Sequence, residues 1–182
     1  MIAGPSAPNT PPGIHPDELA RLYDYWASRC PEGDVPDRAD IDPLDMTYCL
    51  GNLAIVEFEE PFRPRYRLVG SNLVRLYGKE LTGCYIDEAY TGAVRDEALA
   101  VYRQVARDRL ANYTRRTLRG LFRSYSYDRL VLPLRRGGCR IEQALLAIYP
   151  ADRKLVSAEQ WQADEDARRF GALVEDRDYI AE

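Results

Sequence analysis

YRLVGSNLVRLYGKELTG, residues 66–83, changes abruptly from a strand pattern to a short helix bounded by glycines. Apolar and polar residues alternate at its start, as they do in a strand with one covered face. Gly70 then ends the strand, Ser71 is a candidate N-cap, and Gly78 suits the left-handed conformation that often ends a helix. Such a change of period is typical of the wall of a small sensor pocket, but any strand-to-helix junction can also produce it.

Strand patterns lie on both sides of this segment. One strand, residues 53–59, comes before it, and a turn joins the two. After it, Thr91 is a candidate cap for a longer helix with an apolar stripe of helical period. Three further strands follow at residues 111–118, 124–134 and 140–149, and Gly137-Gly138 is a hairpin signal between the last two. The order is therefore two strands, helices, and three strands.

The composition indicates one soluble domain with appendages. The chain has 182 residues, of which 30% are charged and 46% hydrophobic, and no apolar run approaches the roughly 20 residues that span a bilayer. The proline-rich residues 1–15 predict a flexible tail without the pattern of an export signal. Four separated cysteines and the single His15 argue against a zinc site and favour a reducing cytoplasm.

The two ends of the chain predict appended elements. Residues 16–30 predict an amphipathic helix, whose stripe covers either the domain's own sheet or the same helix of a second copy. The stripe, and candidate dimer surface, consists of Leu19, Leu22, Tyr23 and Trp26. Residues 151–182 are acidic and predict a peripheral helical extension. Residues 31–150 are left as the central domain.

The strand order, taken with several short segments, resembles a PAS domain of the small stand-alone bacterial kind. The segments are residues 37–43 (DRADIDP), 66–70 (YRLVG), 78–83 (GKELTG) and 130–134 (LVLPL). The resemblance implies an α+β fold in which a five-stranded antiparallel sheet carries helices on one face and encloses a pocket. It also implies a module that works by binding and change of shape, pairs as a homodimer, and acts on a separate signalling protein such as a histidine kinase or regulator.

The resemblance has limits that bear on cofactors. The flavin-reactive PAS subclass carries an Asn-Cys-Arg-Phe motif, which this sequence lacks, and the histidine that holds haem in other PAS domains has no counterpart in the central domain. We therefore expect no flavin, haem or metal. The expected ligand is a small organic molecule or nucleotide, or the pocket is empty.

A pocket between the sheet and the Thr91 helix would be lined by apolar side chains, with tyrosine hydroxyls to orient a ligand. The candidates are Val56, Phe58, Tyr66, Leu68, Leu73, Tyr77, Val101, Tyr102, Val105, Leu132, Leu145 and Ala147. Apolar faces predict a filled core equally well, so the pattern leaves an open cavity and a packed interior as alternatives.

Charge is distributed unevenly along the chain. Residues 115–140 contain eight arginines and one acid, Asp128, in a chain of net charge −4. The arginines predict either contact with an anionic partner or an internal match with the acidic C-terminal residues. The candidates for an anionic partner are Arg115, Arg116, Arg119, Arg135 and Arg136. Nucleic acid is disfavoured by the acidic overall balance.

Two functions fit these patterns. The first is a cytoplasmic, non-catalytic PAS sensor or adaptor, which senses a small ligand or docks on a signalling protein. The second is a small cone-shaped enzyme of the isomerase or dehydratase type, which would need a buried carboxylate beside a tyrosine inside the cavity. Most acids here lie in loops or on outward strand faces, and Glu142 is the nearest exception. The sensor is therefore the favoured hypothesis.

Overall fold

The computed structural model describes residues 14–119, 124–151 and 174–180, with side chains described for residues 14–117 and 126–151. The helices are α1 (Asp17–Ser28), α2 (Ser71–Tyr77), α3 (Ile86–Ala89) and α4 (Gly92–Asp108), with short 3₁₀ helices at Arg38–Asp40, Pro43–Met46 and Leu50–Asn52. The strands are β1 (Leu53–Glu59), β2 (Arg63–Val69), β3 (Asn112–Arg119), β4 (Ser124–Arg135), β5 (Ile141–Pro150) and β6 (Val174–Ile180).

All strand pairs are antiparallel, and the order across the sheet is β2-β1-β5-β4-β3-β6. The first five strands and the helices between β2 and β3 have the arrangement predicted from the sequence, so the α+β PAS fold is confirmed. The two N-terminal strands lie side by side, and β5 joins β1 to the β3-β4 pair in the middle of the sheet.

Helices cover both faces of the sheet, whereas the sequence predicted helices on one face only. Helices α2, α3 and α4 cover one face, and α1 with the 3₁₀ segments covers the other. The strands β4 and β5 separate two apolar clusters because alternate residues point to opposite faces. Leu130, Leu132 and Leu134 belong to the α1 face, whereas Val131 belongs to the face under α2–α4.

Helix α1 is part of the core. Its stripe residues Leu19 and Leu22 have no exposed surface, Tyr23 and Trp26 are buried, and all four pack in the cluster that contains Leu132 of β4. The Trp26 indole Nε1–H donates to the carbonyl oxygen of Pro133 at 3.0 Å, which joins the helix to the middle of the sheet. The prediction that these four residues form a dimer surface is therefore wrong, because this chain's own sheet already covers them.

The predicted C-terminal helix is also corrected. The residues Val174–Ile180 form strand β6, which pairs with β3 along seven register positions from Asn112↔Ile180 to Leu118↔Val174. The edge of β3 offers backbone donors and acceptors, and an added strand satisfies them. Residues 152–173 and 181–182 of the predicted helical extension, and residues 1–13 of the predicted flexible tail at 1–15, lie outside the described residues. The end of that tail is not flexible, because Ile14 is buried in the α1 cluster and the His15 N–H donates to the Tyr113 hydroxyl at 3.2 Å.

The junction between β2 and α2 differs from expectation in its capping. Ser71 lies inside the first turn, and Gly70 takes the N-cap position without a side-chain cap. A Cβ at Gly70 would come within 2.4 Å of the Leu50 carbonyl oxygen and 2.5 Å of the Gly51 carbonyl oxygen. Gly70 is therefore required by close backbone packing, whereas Gly78 ends the helix in the left-handed conformation, with φ 69°, as predicted.

Substitution of Gly70 by alanine is expected to destabilise the fold by about 2 kcal/mol or more, because two backbone carbonyls would have to move away from the new methyl group. Gly138→Ala is the matched control, since nothing lies within 4 Å of a Cβ at that glycine. Urea unfolding followed by circular dichroism measures both. Equal stability of the two variants would contradict the close approach at Gly70.

Candidate functional site

A small cavity lies between α4 and the central strands, on the face covered by α2–α4. It has a volume of about 40 Å³. Its lining comes from β2, α2, the loop before α4, α4 itself, and strands β3 to β5. The lining residues are Tyr66, Leu76, Tyr77, Tyr90, Val94, Ala98, Tyr102, Arg116, Tyr127, Arg129, Leu146 and Ile148.

Two arginines enter this cavity from the sheet. Arg116 of β3 and Arg129 of β4 are 2% and 6% exposed, and both pair with Glu97 of α4, Arg129 Nη2 at 3.0 Å from Glu97 Oε1. Arg129 Nε also donates to the Thr114 hydroxyl at 3.1 Å, and Arg116 Nη1 donates to the Tyr127 hydroxyl at 3.3 Å. Buried arginines are almost always paired, and here two guanidinium groups share one carboxylate. The three side chains form a polar cluster within an apolar core.

Tyrosine side chains form the rest of the polar lining. The hydroxyls of Tyr66 and Tyr90 lie 2.9 Å apart, and the rings of Tyr77 and Tyr90 meet edge to face, with centroids 6.2 Å apart. Burial raises the pKa of the Tyr66 and Tyr90 phenols well above their usual value, and it raises the pKa of Tyr77 to about 12. The phenols are therefore neutral hydrogen-bonding groups at physiological pH.

These raised pKa values predict a loss of stability in alkali. The unfolded chain ionises its tyrosines near pH 10, whereas folded Tyr77 holds its proton to about pH 12. The native state thus binds more protons above pH 10, and stability falls as pH rises from there. At about 1.4 kcal/mol per pH unit, Tyr77→Phe should remove roughly 2–3 kcal/mol of the wild-type decline between pH 10 and 12. Urea unfolding at a series of pH values tests this, and an unchanged decline in the variant would contradict the burial of the Tyr77 hydroxyl.

The structure brings together only part of the predicted pocket. Tyr66, Tyr77 and Tyr102 line the cavity. Val56, Leu73, Val105, Phe58 and Val101 lie in the surrounding apolar cluster under α2–α4, without lining the cavity. Leu68 is 49% exposed at the edge of the sheet. Leu132, Leu145 and Ala147 lie on the α1 face of the sheet, so their assignment to the pocket is wrong. The residues next to them in β4 and β5 face the cavity side instead.

Several lining residues were missed by sequence reasoning. Leu146 and Ile148 are the neighbours of the misassigned residues in β5. The sequence predicts Arg116 only as a contact for an anionic partner, and Arg129 only as a member of the basic run. One signal was present in β4, where Tyr127, Arg129 and Val131 alternate with Asp128 and the leucines. An arginine at a core-facing position between apolar residues indicates a polar group that the core must accommodate.

The arginines predicted to contact an anionic partner are mostly matched within the chain. Arg116 is buried against Glu97, so it cannot reach a partner. Arg115 pairs with Asp128 at 2.8 Å, Arg135 with Asp34 at 3.5 Å, and Arg136 with Glu57 at 2.6 Å. The side chain of Arg119 lies outside the described residues. The backbone pairing of β6 with β3 is consistent with the other prediction, in which the acidic C-terminal residues lie against the basic run of the same chain.

The geometry required by the enzyme hypothesis is not found around the cavity. Among the described residues that line it there is no carboxylate, and Glu97 behind them is held by two guanidinium groups. A buried carboxylate does meet a tyrosine where Asp128 Oδ1 accepts from the Tyr113 hydroxyl at 2.7 Å. That pair lies towards the α1 face, where Tyr113 joins the α1 cluster. Glu142, the nearest candidate base from the sequence, does not line the cavity either.

Two further properties concern metal ions and membranes. Over the described ranges, no group of three or more His, Cys, Asp and Glu side chains is arranged to hold a metal ion. The helices within those same ranges are all too short or too polar to cross a bilayer.

An antiparallel sheet in the order 2-1-5-4-3, with α2 to α4 enclosing a small polar cavity on one face, defines a sensor-type domain. The family model PAS_5, described as a PAS domain, matches residues 14–145. The chain therefore belongs to the PAS domain family, and the matched range includes α1. No curated protein and no solved structure matches the chain. Membership of this family indicates a signalling module.

Proposed function

We propose that this protein is a non-catalytic PAS module that takes a small ligand into the cavity under α4 and acts on a separate signalling protein such as a histidine kinase or regulator. The observation that carries the proposal is the polar lining of that cavity. Two buried arginines and five tyrosines surround a space of about 40 Å³ inside an otherwise apolar core.

A purely structural core would be expected to avoid such a lining. Burying a charged group costs several kcal/mol unless it is paired, and replacing a buried ion pair by apolar side chains is often neutral or stabilising. Leu146 and Ile148 on the neighbouring strand show that apolar residues fit this face. The presence of Arg116, Arg129 and Glu97 among the tyrosines therefore supports a binding role.

The position of the cavity also supports a sensing role. Glu97, Ala98 and Tyr102 all belong to α4, whereas the arginines that face them belong to β3 and β4. A ligand between them contacts α4 and the sheet at the same time. It would favour the conformation whose distance between α4 and the sheet allows the tighter binding. The exposed side of α4 would then present this change to a partner. A homodimer, common among PAS domains, would use a surface other than the buried stripe of α1.

Two variants test the proposal in the full chain. Ala98→Leu fills the cavity with apolar atoms, and Ala20→Leu makes the same change on α1, at the opposite face. A two-hybrid screen against the histidine kinases and response regulators of the same genome is expected to detect a partner. Its signal should change with Ala98→Leu and should remain with Ala20→Leu.

The proposal fails if none of those signalling proteins interacts with the wild-type chain. It also fails if Ala98→Leu, shown to be folded by circular dichroism, gives the wild-type signal with every partner. Equal effects of Ala98→Leu and Ala20→Leu would indicate general destabilisation and would contradict a special role for the cavity.

A further inference from the structure

We infer that the cavity under α4 binds a small monocarboxylate, with a carboxylate group at Arg129 and a short apolar chain of about one to three carbons. This inference deepens the proposed function, because it specifies the ligand class for the same cavity. It rests on the size of the cavity, the donors of Arg129, and the apolar part of the lining.

The size restricts the ligand strongly. One water needs roughly 10–15 Å³ of such space, so a cavity of about 40 Å³ holds only a few non-hydrogen atoms. Sites for drug-sized molecules are roughly 300–1,000 Å³. Nucleotides and other large ligands therefore do not fit without a major opening of α4, whereas a short carboxylate has about the right number of atoms.

The guanidinium of Arg129 supplies the charge. Its Nε donates to Thr114 and its Nη2 to Glu97, while in the described part of the chain Nη1 makes no hydrogen bond. Arg129 lines the cavity, and we assign this nitrogen as the donor to the ligand's carboxylate. Arg116 makes contacts beyond those with Glu97 and Tyr127, so the inference rests on Arg129 and does not require Arg116 to be free.

The remaining lining favours a monoanion with an apolar tail. One of the Tyr66 and Tyr90 hydroxyls donates to the other, so at most one of these two O–H groups remains to donate to a carboxylate oxygen, which only accepts. Val94, Ala98 and Leu146 offer an apolar wall for a short chain. A phosphate dianion would need several more charged donors, and it would leave that apolar wall unused.

Ligand binding is tested by thermal unfolding of the dialysed full chain at constant ionic strength. The probes are sodium acetate, propionate and butyrate, with propionamide as the neutral isostere, and sodium phosphate and chloride as other anions. At a hundredfold excess over Kd, a carboxylate is expected to raise Tm by about 5–10 °C. Propionamide, phosphate and chloride should give no saturable shift.

Variants locate the site. Ala98→Leu should abolish the carboxylate shift, and Ala20→Leu should retain it. Arg129→Lys keeps the positive charge, but a single ammonium cannot bond Thr114 and Glu97 through a fixed fork and still hold a further N–H towards the ligand, so it should weaken binding at least tenfold. Isotope-edited NMR with ¹³C-labelled propionate measures the same affinities independently of Tm, in case the Arg129 variant is itself less stable.

The inference is overturned if propionamide binds as well as propionate, if no carboxylate binds, or if Ala98→Leu retains the full shift. Each of these results leaves the sensor proposal intact when Ala98→Leu still changes the two-hybrid signal. Conversely, carboxylate binding that Ala98→Leu removes without any effect on a partner supports the ligand and contradicts the proposed signalling role.

Discussion

Replacing Leu22 by aspartate is expected to abolish cooperative folding of the whole domain. Leu22 has no exposed surface between α1 and the sheet. Removing its side chain alone costs about 2–5 kcal/mol, and an unpaired carboxylate at that place adds several more. Together these approach the roughly 5–15 kcal/mol that stabilises a typical domain. Circular dichroism during heating should show no cooperative transition above room temperature.

Leu44→Asp is the matched control, because Leu44 is 77% exposed in the 3₁₀ segment before β1. Surface changes of this kind are usually within about 0.5 kcal/mol, so this variant should unfold as the wild type does. Sedimentation of both variants distinguishes the alternatives. If Leu22→Asp kept the wild-type Tm and only converted a dimer to a monomer, α1 would be an interface helix and its packing on the sheet would be wrong.

The place of α1 illustrates a limit of sequence reasoning. The stripe from Leu19 to Trp26 predicted an amphipathic helix over residues 16–30, and α1 spans Asp17–Ser28. An apolar stripe has the same period whether it covers its own sheet or a second copy. The deciding facts are distant in sequence, since β4 and β5 present a second apolar face and Pro133 presents a carbonyl to Trp26.

The sequence also does not determine which face of the sheet each residue of β4 and β5 points to. This explains why three α1-face residues were assigned to the pocket. The strands β1, β2, β3, β4 and β5 were predicted almost to the residue, because turns and alternation mark their ends. Over residues 130–134 of β4 and 144–148 of β5, however, both sets of alternate residues are apolar. Leu132 and Val131 are equally plausible pocket residues from the sequence alone, and only the packing of two helical layers assigns them to opposite faces.

The C-terminal strand shows a third limit. Residues 174–180, VEDRDYI, belong to the acidic stretch after Pro150, whose few large apolar residues predict a peripheral helix. The edge of β3 decides this structure, because its unpaired backbone N–H and C=O groups are satisfied when residues 174–180 are extended and pair with it. The same pairing places Asp176 in register opposite Arg116.

The buried charge cluster of the cavity gives the second large expected effect. Glu97→Gln removes the carboxylate shared by Arg116 and Arg129, which are 2% and 6% exposed. Removing one partner of a buried ion pair typically costs about 3–5 kcal/mol, because the remaining charge stays buried. Since the Glu97 side chain is 25% exposed, we expect a loss of about 3 kcal/mol in urea unfolding, with the fold retained.

The same substitution at Glu60 provides the control, because Glu60 pairs with Arg140 where both side chains are more than 70% exposed. Such surface pairs contribute about 0–1 kcal/mol, so Glu60→Gln should be nearly neutral. Adding Arg129→Met to Glu97→Gln should then recover part of the loss, because the second change removes a buried charge that the first left without its carboxylate. Equal effects at Glu97 and Glu60, or strictly additive effects of the double variant, would show that the cavity arginines do not depend on Glu97.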